Sequence, residues 1–266
     1  MRVAVISNTS KIGKSSFIFL LASVFARSQH RRVAIMSTSD MTNALDTVEV
    51  KAPVGKEGAM PVFKALLDAK QLEPAEIWEY GTRVGTEEVF AFNIMGSSME
   101  ENDLLSVNEV LLQQLESELT LIEITGDFES EVNMNVLENV DNIIYVTGMS
   151  LDCIRETKHY IETLPEDIVK RTGFLCQKFS YEIMNEKQFA KKLGISVRIL
   201  MTLPYNVMIP KFEMEHKLNA LADKIVAGQE DVIPLRIKLY EIMCYIFGEA
   251  GQHNRRGVKE VKDWYK

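Results

Sequence analysis

Short apolar runs alternate along the chain with stretches in which apolar residues recur every three or four positions. The runs predict buried strands, and the spacing between them predicts helices with one apolar face. Seven strands are predicted, at residues 3–6, 33–36, 89–95, 119–124, 142–147, 173–176 and 197–203. Helices are predicted around residues 17–24, 60–67, 104–115, 151–164, 183–193, 215–226 and 235–247.

This alternation defines the expected fold class. Nearly all-apolar strands that alternate with helices are typical of a parallel sheet covered on both faces. We therefore predict an α/β fold, a three-layer sandwich with a mostly parallel central sheet and helices on both faces. Residues 37–58 hold polar and turn residues with little periodicity, so we expect a mobile surface loop there. One domain is predicted over residues 1–251, followed by a basic tail at residues 252–266.

Composition and charge narrow the classes of function. The chain has 266 residues, of which 46% are hydrophobic and 26% charged, the usual mix of a soluble globular protein. Its net charge of −8 weighs against non-specific DNA binding. No apolar run approaches the roughly 18 residues of a membrane span. Isolated cysteines fit a reducing compartment, so we expect a cytoplasmic protein; the cysteines are Cys153, Cys176 and Cys244.

The tail differs from the rest of the chain. Residues 252–266 hold five basic and two acidic side chains, with apolar residues at three- to four-residue spacing. Such a segment could contact a membrane surface as an amphipathic helix, but stable interfacial binding needs a larger apolar face. We therefore expect the tail to be solvated, and membrane contact is the alternative.

The strongest chemical signal follows the first predicted strand, where residues 10–16 read S-K-I-G-K-S-S. Gly13, Lys14 and Ser15 match the end of the phosphate-loop pattern G-x-x-x-x-G-K-[ST], which lies between a strand and a helix. Backbone N–H groups of such a loop bind phosphate together with the helix N-terminus. Lys14 would reach the terminal phosphates, and the Ser15 hydroxyl would bind Mg²⁺. The predicted nucleotide-binding residues here are Ser10, Lys11, Ile12, Gly13, Lys14, Ser15 and Ser16.

The loop departs from the pattern at its first glycine position, which Asn8 occupies. Asparagine adopts positive φ more readily than most residues, so the loop conformation remains accessible. An ordinary strand-to-helix turn could also contain Gly-Lys-Ser. The flanking strand and helix favour phosphate binding over that alternative.

Beyond the loop, the order of elements up to about residue 247 resembles the ParA/MinD family of P-loop ATPases, which includes the TadZ/CpaE pilus-assembly relatives. Residues 90–96 (F-A-F-N-I-M-G) are similar to the family's strand that ends in a glycine, and residues 119–125 lie where the family has its Walker B strand. Residues 141–155 resemble the next strand and helix. Residues 203–206 (L-P-Y-N) are similar to the I-P-Y-D segment that lies beside the adenine.

The resemblance implies a P-loop NTPase fold of the deviant Walker A type, with ATP and Mg²⁺ as ligands and a homodimer closed by ATP. It places Glu123 at the Walker B aspartate, which lies next to the magnesium ligands. It also places Gln177 at the family's adenine-reading asparagine and Pro204 beside the adenine. Gln177 could equally be a plain loop residue, and Glu123 could instead lie at a strand end that is open to water.

The residues that support hydrolysis in the family are replaced here. The signature lysine, which reaches the nucleotide of the partner subunit, falls at Thr9, and Lys11 follows two residues later. The aspartate that orients the attacking water falls at Ser37, with Asp40 three residues further on as the candidate catalytic residue. Ser37 has the alternative reading of a turn residue, and Asp40 that of a solvated loop residue.

We therefore interpret the chain as an ATP-binding switch that positions or assembles a larger machine through an unidentified protein partner, with weak or absent hydrolysis. The machine would be a partitioning, pilus or secretion, or division apparatus. A pseudo-ATPase scaffold is the alternative that the replaced residues favour. A bacterial tyrosine kinase shares the loop and the sheet, but only Tyr265 lies among the last twenty residues, where such enzymes carry a tyrosine cluster.

Overall fold

A computed structural model describes residues 1–9, 11–38, 48, 55, 59–85, 88–92 and 101–249. Within these ranges, eight strands form one sheet in the order β3-β4-β2-β5-β1-β6-β7-β8. All neighbouring strands are parallel except the β3–β4 pair at one edge. The strands are β1 (Arg2–Ile6), β2 (Val33–Ser37), β3 (Thr82–Arg83), β4 (Val89–Phe92), β5 (Leu119–Ile124), β6 (Asn142–Thr147), β7 (Thr172–Phe179) and β8 (Leu200–Pro204).

Helices connect the strands and cover the sheet. In the described part of the chain they are α1 (Lys14–Gln29), α2 (Met60–Asp68), α3 (Glu101–Gln114), α4 (Glu131–Asn139), α5 (Leu151–Thr163), α6 (Glu166–Lys170), α7 (Glu186–Leu193), α8 (Met208–Met214), α9 (Leu218–Val226) and α10 (Ile233–Glu249). Short 3₁₀ helices span Pro74–Tyr80, Val197–Ile199 and Glu230–Val232.

The apolar core lies in two layers, one on each face of the sheet. The first layer joins α1, α9 and α10 to side chains such as Val5 and Ile35, which point to that face. The second joins α2, α3, α4 and α5 to the alternate strand positions, such as Ile6 and Met36. This is the predicted three-layer α/β sandwich, since successive side chains of a strand point to opposite faces.

Helix α1 is the most deeply buried of the described helices. Every residue from 17 to 26 is buried, so the helix has no polar stripe along this stretch. A helix that is apolar all round belongs to the interior of a domain. It therefore fixes the described residues of the loop that precedes it, 7–9 and 11–13, at the centre of the sheet.

Several predicted bounds are corrected by the structure. The strand expected at 197–203 begins only at Leu200, because Ser196 Oγ accepts the N–H of Arg198 (3.3 Å) and starts a 3₁₀ turn instead. The helix expected from 183 begins at Glu186, where Asn185 and Gln188 form a capping box. The helix expected over 215–226 is α9, which begins only at Leu218, and the helix before it, α8, was not predicted. The expected end of the strand at 93–95, most of the loop at 37–58, and the tail lie outside the described residues.

No helix among the described residues is both long enough and apolar enough to cross a bilayer.

Candidate functional site

A pocket of about 1070 Å³ opens at the carboxyl ends of β1, β5, β7 and β8. This is the edge at which parallel α/β sheets bind their ligands. Four segments line it: the first loop with the start of α1, the turn after β5, the end of β7, and the chain from β8 into α8. The site is therefore built from loops that the sheet brings together across more than 190 residues of sequence.

Gly13 ends the first loop and is the N-cap of α1. Its φ of 95° lies in the left-handed region, where side chains other than glycine are strained. The Gly13 carbonyl accepts the N–H of Phe17 (3.0 Å) and the Nε2 amide of Gln177 (3.1 Å). A Cβ added at Gly13 would lie 2.7 Å from Gln177 Oε1. The turn thus favours glycine here, and a larger residue would also displace the end of the Gln177 side chain.

Lys14 and Ser15 both contact the end of β5. Lys14 Nζ donates a hydrogen bond to the Ile124 carbonyl and lies 3.9 Å from Glu123 Oε1. Ser15 Oγ donates to the same carboxylate oxygen at 2.7 Å. Burial lowers the pKa of the Lys14 ammonium, and the negative charge of Glu123 partly offsets this effect. The Glu123 carboxylate, only 5% exposed, thus has its partners on α1.

The β6–α5 segment holds the underside of the first loop. Asn8 Nδ2 donates to Glu156 Oε2 (3.3 Å), and the Thr9 hydroxyl lies 3.6 Å from Cys153 Sγ. The Thr9 N–H is also held by Ser7 Oγ at 3.1 Å. Thr9, the residue at the position of the family's signature lysine, is therefore a neutral side chain packed against α5.

The turn after β5 forms a second wall of the pocket, with Thr125, Gly126, Asp127 and Phe128. Asn133 on α4 fixes this turn, since its Nδ2 donates to the carbonyls of Thr125 (3.0 Å) and Asp127 (2.6 Å). The Thr125 N–H donates to Thr38 Oγ1 (3.3 Å), which ties the turn to the end of β2. Gly126 adopts a φ of 75°.

The opposite wall is the segment that leaves β8. Pro204, Tyr205, Asn206, Ile209 and Pro210 line it, together with Leu203 and Glu213. Asn206 Oδ1 accepts the N–H of Met208 (2.9 Å) and so shapes the turn into α8. Rings and apolar side chains on this wall leave a largely apolar surface, in contrast to the polar first loop.

The pocket gathers most of the residues that the sequence singled out. It is lined by Lys11, Ile12, Gly13, Lys14, Ser15, Ser16, Glu123, Gln177 and Pro204. Ser10 and Asp40 lie outside the described residues. Ser37 is 1% exposed and pairs with Glu123 across β2 and β5, so it belongs to the sheet rather than to a turn.

Sequence reasoning missed the turn after β5 and the whole of α8. Both follow directly on predicted strands, and the carboxyl end of a parallel strand is itself a signal for site residues. Residues 125–128 could have been found in this way, because the strand before them was predicted with its correct bounds.

The donor set fits a nucleotide with Mg²⁺. Gly13 leaves room for close approach to the backbone, α1 offers its N-terminus, and Lys14 supplies a cation. The hydroxyl of Ser15 and the carboxylate of Glu123 are hard oxygen ligands of the kind that Mg²⁺ accepts, directly or through water. The apolar wall from Pro204 to Pro210 suits the flat face of a base.

Comparison with protein-family models and with curated proteins found no match. Solved structures do match. A ParA family ATPase from Chlorobium tepidum TLS is 12% identical, with 90% of this chain and 96% of that chain covered and a TM-score of 0.66. The septum site-determining protein MinD with Mg-ADP from Pyrococcus horikoshii OT3 is 14% identical, with 91% and 95% covered and a TM-score of 0.63.

A third match is the MinC:MinD cell division protein complex of Aquifex aeolicus, which is 10% identical, with 87% and 93% covered and a TM-score of 0.61. Identities this low show the fold, and the three structures share it over nearly the whole of the described chain. The resemblance inferred from the motifs is confirmed at this level: the protein has the fold of the ParA and MinD P-loop ATPases.

Proposed function

We propose that this protein is an ATP-binding switch that positions or assembles a larger machine. The observation that carries the proposal is the cluster of Lys14, Ser15 and Glu123 beside Gly13, at the mouth of the one strand-end pocket described above. A backbone cradle, a cation and an oxygen ligand pair at one helix N-terminus are the elements that bind a nucleoside triphosphate.

Each residue has a distinct role in the proposal. Residues 8–13 hold the phosphates through backbone N–H groups, and Lys14 leaves the Ile124 carbonyl to contact the terminal phosphate. Ser15 and Glu123 would hold Mg²⁺, which neutralises charge on the phosphates when bound. Gln177 anchors the loop through the Gly13 carbonyl, and the wall at Pro204 receives the base.

Hydrolysis is proposed to be weak. Ser37 offers a hydroxyl at the position where a carboxylate orients water in the family, and positioned acid–base groups typically contribute about 100- to 10,000-fold. Thr9 is neutral and packs against Cys153, so it cannot neutralise a partner's phosphates. We expect turnover well below the roughly 1 per second of ordinary enzymes. The same two residues favour the second candidate, a scaffold that binds nucleotide without hydrolysing it.

The output of such a switch is a conformational or oligomeric state. We propose an ATP-dependent homodimer and a protein partner within a partitioning, pilus or secretion, or division apparatus. The supporting observation is the shared fold, since one of the similar structures is a MinD protein in complex with MinC.

The test of nucleotide binding is Lys14→Ala, titrated calorimetrically with ATP and Mg²⁺. We expect loss of binding, because Lys14 is the cation nearest the end of β5 in the described pocket. Lys191→Ala on α7, an exposed lysine outside the pocket, is the matched control and should bind as the wild type does.

Lys14→Ala also leaves Glu123 buried without its cation, which typically costs about 3–5 kcal/mol. The double variant Lys14→Ala/Glu123→Gln removes that unpaired charge and restores most of the stability. Loss of binding in a folded double variant supports the proposal. Unchanged affinity in either variant would mean that the loop is only structural.

A further inference from the structure

We propose that Asp127 is the carboxylate that orients the attacking water in the slow hydrolysis proposed for this pocket. The inference rests on the proposed function and extends it to a catalytic residue. Among the described residues, three carboxylates line the pocket: Glu123, Asp127 and Glu213. Glu123 is occupied by Ser15 and Lys14, and Glu213 lies on α8, at the apolar wall that suits the base. Asp127 is the carboxylate left for the reacting end.

Asp127 lies on the same short segment as the carbonyl at the end of β5 that Lys14 contacts. Lys14 Nζ donates to the carbonyl of Ile124, which is three residues before Asp127. A residue spans at most about 3.6 Å, so the Cα atoms of Ile124 and Asp127 are within roughly 11 Å of each other. The turn at Gly126, with its φ of 75°, shortens that path. Asp127 and the carbonyl that Lys14 contacts are therefore close along the chain, at the end of β5 where the proposed function puts the terminal phosphate.

The turn is held in a fixed shape, as an orienting group requires. Asn133, 3% exposed, donates to the carbonyls of Thr125 and Asp127. The Ser130 N–H also donates to the Asp127 carbonyl (3.3 Å). The turn is therefore fixed from both α4 and β2, and the Asp127 backbone has little freedom.

One of the two oxygens of the Asp127 carboxylate is hydrogen-bonded. Asp127 Oδ1 accepts the N–H of Glu129 at 2.9 Å, which sets the plane of the group. No hydrogen bond from the described residues reaches Oδ2. Asp127 is exposed and lines the pocket, so this oxygen can accept a proton from a water molecule there.

The proposed reaction is a displacement of ADP from the γ-phosphorus by water. The water oxygen bonds to the γ-phosphorus while the bond from that phosphorus to the β–γ bridging oxygen breaks, and the electron pair stays on ADP. One water proton stays on the released phosphate. The other passes to Asp127 Oδ2 and then to solvent. Positioning of this kind is the main protein contribution to phosphoryl transfer.

The first measurement is single-turnover hydrolysis of radiolabelled ATP by Asp127→Asn. Asparagine keeps an oxygen acceptor for the Glu129 N–H but cannot take the proton. We expect hydrolysis to fall about a hundredfold. Glu129→Gln removes the same charge two residues away, outside the described pocket lining, and should hydrolyse ATP as the wild type does.

The second measurement does not depend on hydrolysis. A carboxylate beside the terminal phosphate repels it, and a unit charge at about 4 Å in water is worth about 1 kcal/mol, or roughly fivefold in affinity. Calorimetric titration with AMPPNP and with ADP should therefore show the ratio of the two affinities shifting about fivefold toward AMPPNP in Asp127→Asn. The ratio should not change in Glu129→Gln.

The outcomes separate the two proposals. Wild-type protein that binds ATP but never hydrolyses it overturns the role of Asp127 and leaves the switch intact. Unchanged hydrolysis in Asp127→Asn, or an affinity ratio that does not differ from that of Glu129→Gln, also overturns it. Wild-type protein that binds no nucleotide overturns both.

Discussion

At the scale of single residues, Gly13 carries two separate constraints. Its φ of 95° strains any residue with a Cβ, and a Cβ here would also displace Gln177 Oε1. Gly194, the C-cap of α7, has a similar φ of 79° but open space around its Cβ position. Substitutions at the two glycines therefore distinguish the free-energy cost of the left-handed conformation from the cost of contact with Gln177.

We predict that Gly194→Ala lowers the free energy of unfolding by about 1–2 kcal/mol, the cost of a left-handed conformation. Gly13→Ala should cost about 1 kcal/mol more, because Gln177 must also move. It should also weaken ATP binding, which Gly194→Ala should leave unchanged. Urea unfolding and ATP titration of both variants provide the measurement. Equal stabilities for the two variants would show that Gln177 moves aside without cost.

The lowered pKa of Lys14 predicts how ATP affinity and stability change with pH. Burial lowers its pKa below the ordinary value of 10.5, against the opposing effect of Glu123. The ammonium must be charged to hold a phosphate, so ATP affinity should fall as the pH rises through the lowered pKa, and binding there should take up a proton. In the interval up to 10.5 the unfolded chain holds more protons, so stability without nucleotide should rise with pH.

The check is calorimetric titration at several pH values, in buffers with different ionisation enthalpies. Lys191→Ala should show the wild-type profile, because its side chain lies outside the pocket. An affinity that stays flat through this range, with no proton uptake, would mean that Lys14 does not contact the phosphates.

At the scale of elements, α4 supports the pocket through one side chain. Asn133 bridges the helix to two carbonyls of the turn after β5. We predict that Asn133→Ala lowers the free energy of unfolding by about 2 kcal/mol, because both bonds are lost from a buried group. Asn139→Ala removes an exposed bond from Nδ2 to the Asn135 carbonyl on the same helix, and should cost about 0.5 kcal/mol or less.

Thermal unfolding and urea titration measure both variants. Since Asn133 also fixes Asp127, the variant should lose hydrolysis along with stability. A variant that is destabilised but hydrolyses ATP at the wild-type rate would show that Asn133 stabilises the turn and that hydrolysis does not depend on this support.

The long buried elements could be predicted from sequence because their apolar patterns are strong. Strands β5 and β6 were predicted with their correct bounds. Strand β3 was missed because Thr82 and Arg83 form no apolar run, and an antiparallel edge pair needs only two residues. Helix α4 was missed because three asparagines interrupt its apolar spacing.

The site was predictable where one local motif defines it. Lys14 and Ser15 belong to a motif of consecutive residues, whose phosphate-binding groups lie next to one another in the sequence. The contact of Gln177 with Gly13 joins residues 164 positions apart, and no local pattern encodes it. Asp127 was missed for a related reason, since its role depends on which other carboxylates share the pocket.

At the scale of the whole molecule, the proposed dimer depends on a positively charged side chain of one subunit that reaches the nucleotide bound to the other. Lys11 is exposed, lines the pocket and has a φ of 56°. Its charge lies at the exposed side of the pocket lining, whereas the neutral Thr9 hydroxyl contacts Cys153 on α5. We predict that the mass in light scattering doubles with ATP and Mg²⁺, and that Lys11→Ala remains a monomer while retaining most of its nucleotide affinity.

Lys191→Ala is the control and should dimerise as the wild type does. A wild type whose mass does not respond to ATP would contradict the prediction and favour the scaffold. A Lys11→Ala variant that still dimerises would show that another residue contacts the nucleotide of the partner subunit.

The order of the strands also affects how the chain is made. Strand β1 lies at the centre of the sheet, and both of its neighbours, β5 and β6, come more than 100 residues later. At a synthesis rate of about 5–20 residues per second, an apolar strand at the very start of the chain waits roughly 5–20 seconds on the ribosome before its first partner exists. During that interval its edges are open to other nascent chains. Expression of this protein should therefore depend on chaperones that bind early, and slower translation should increase its aggregation.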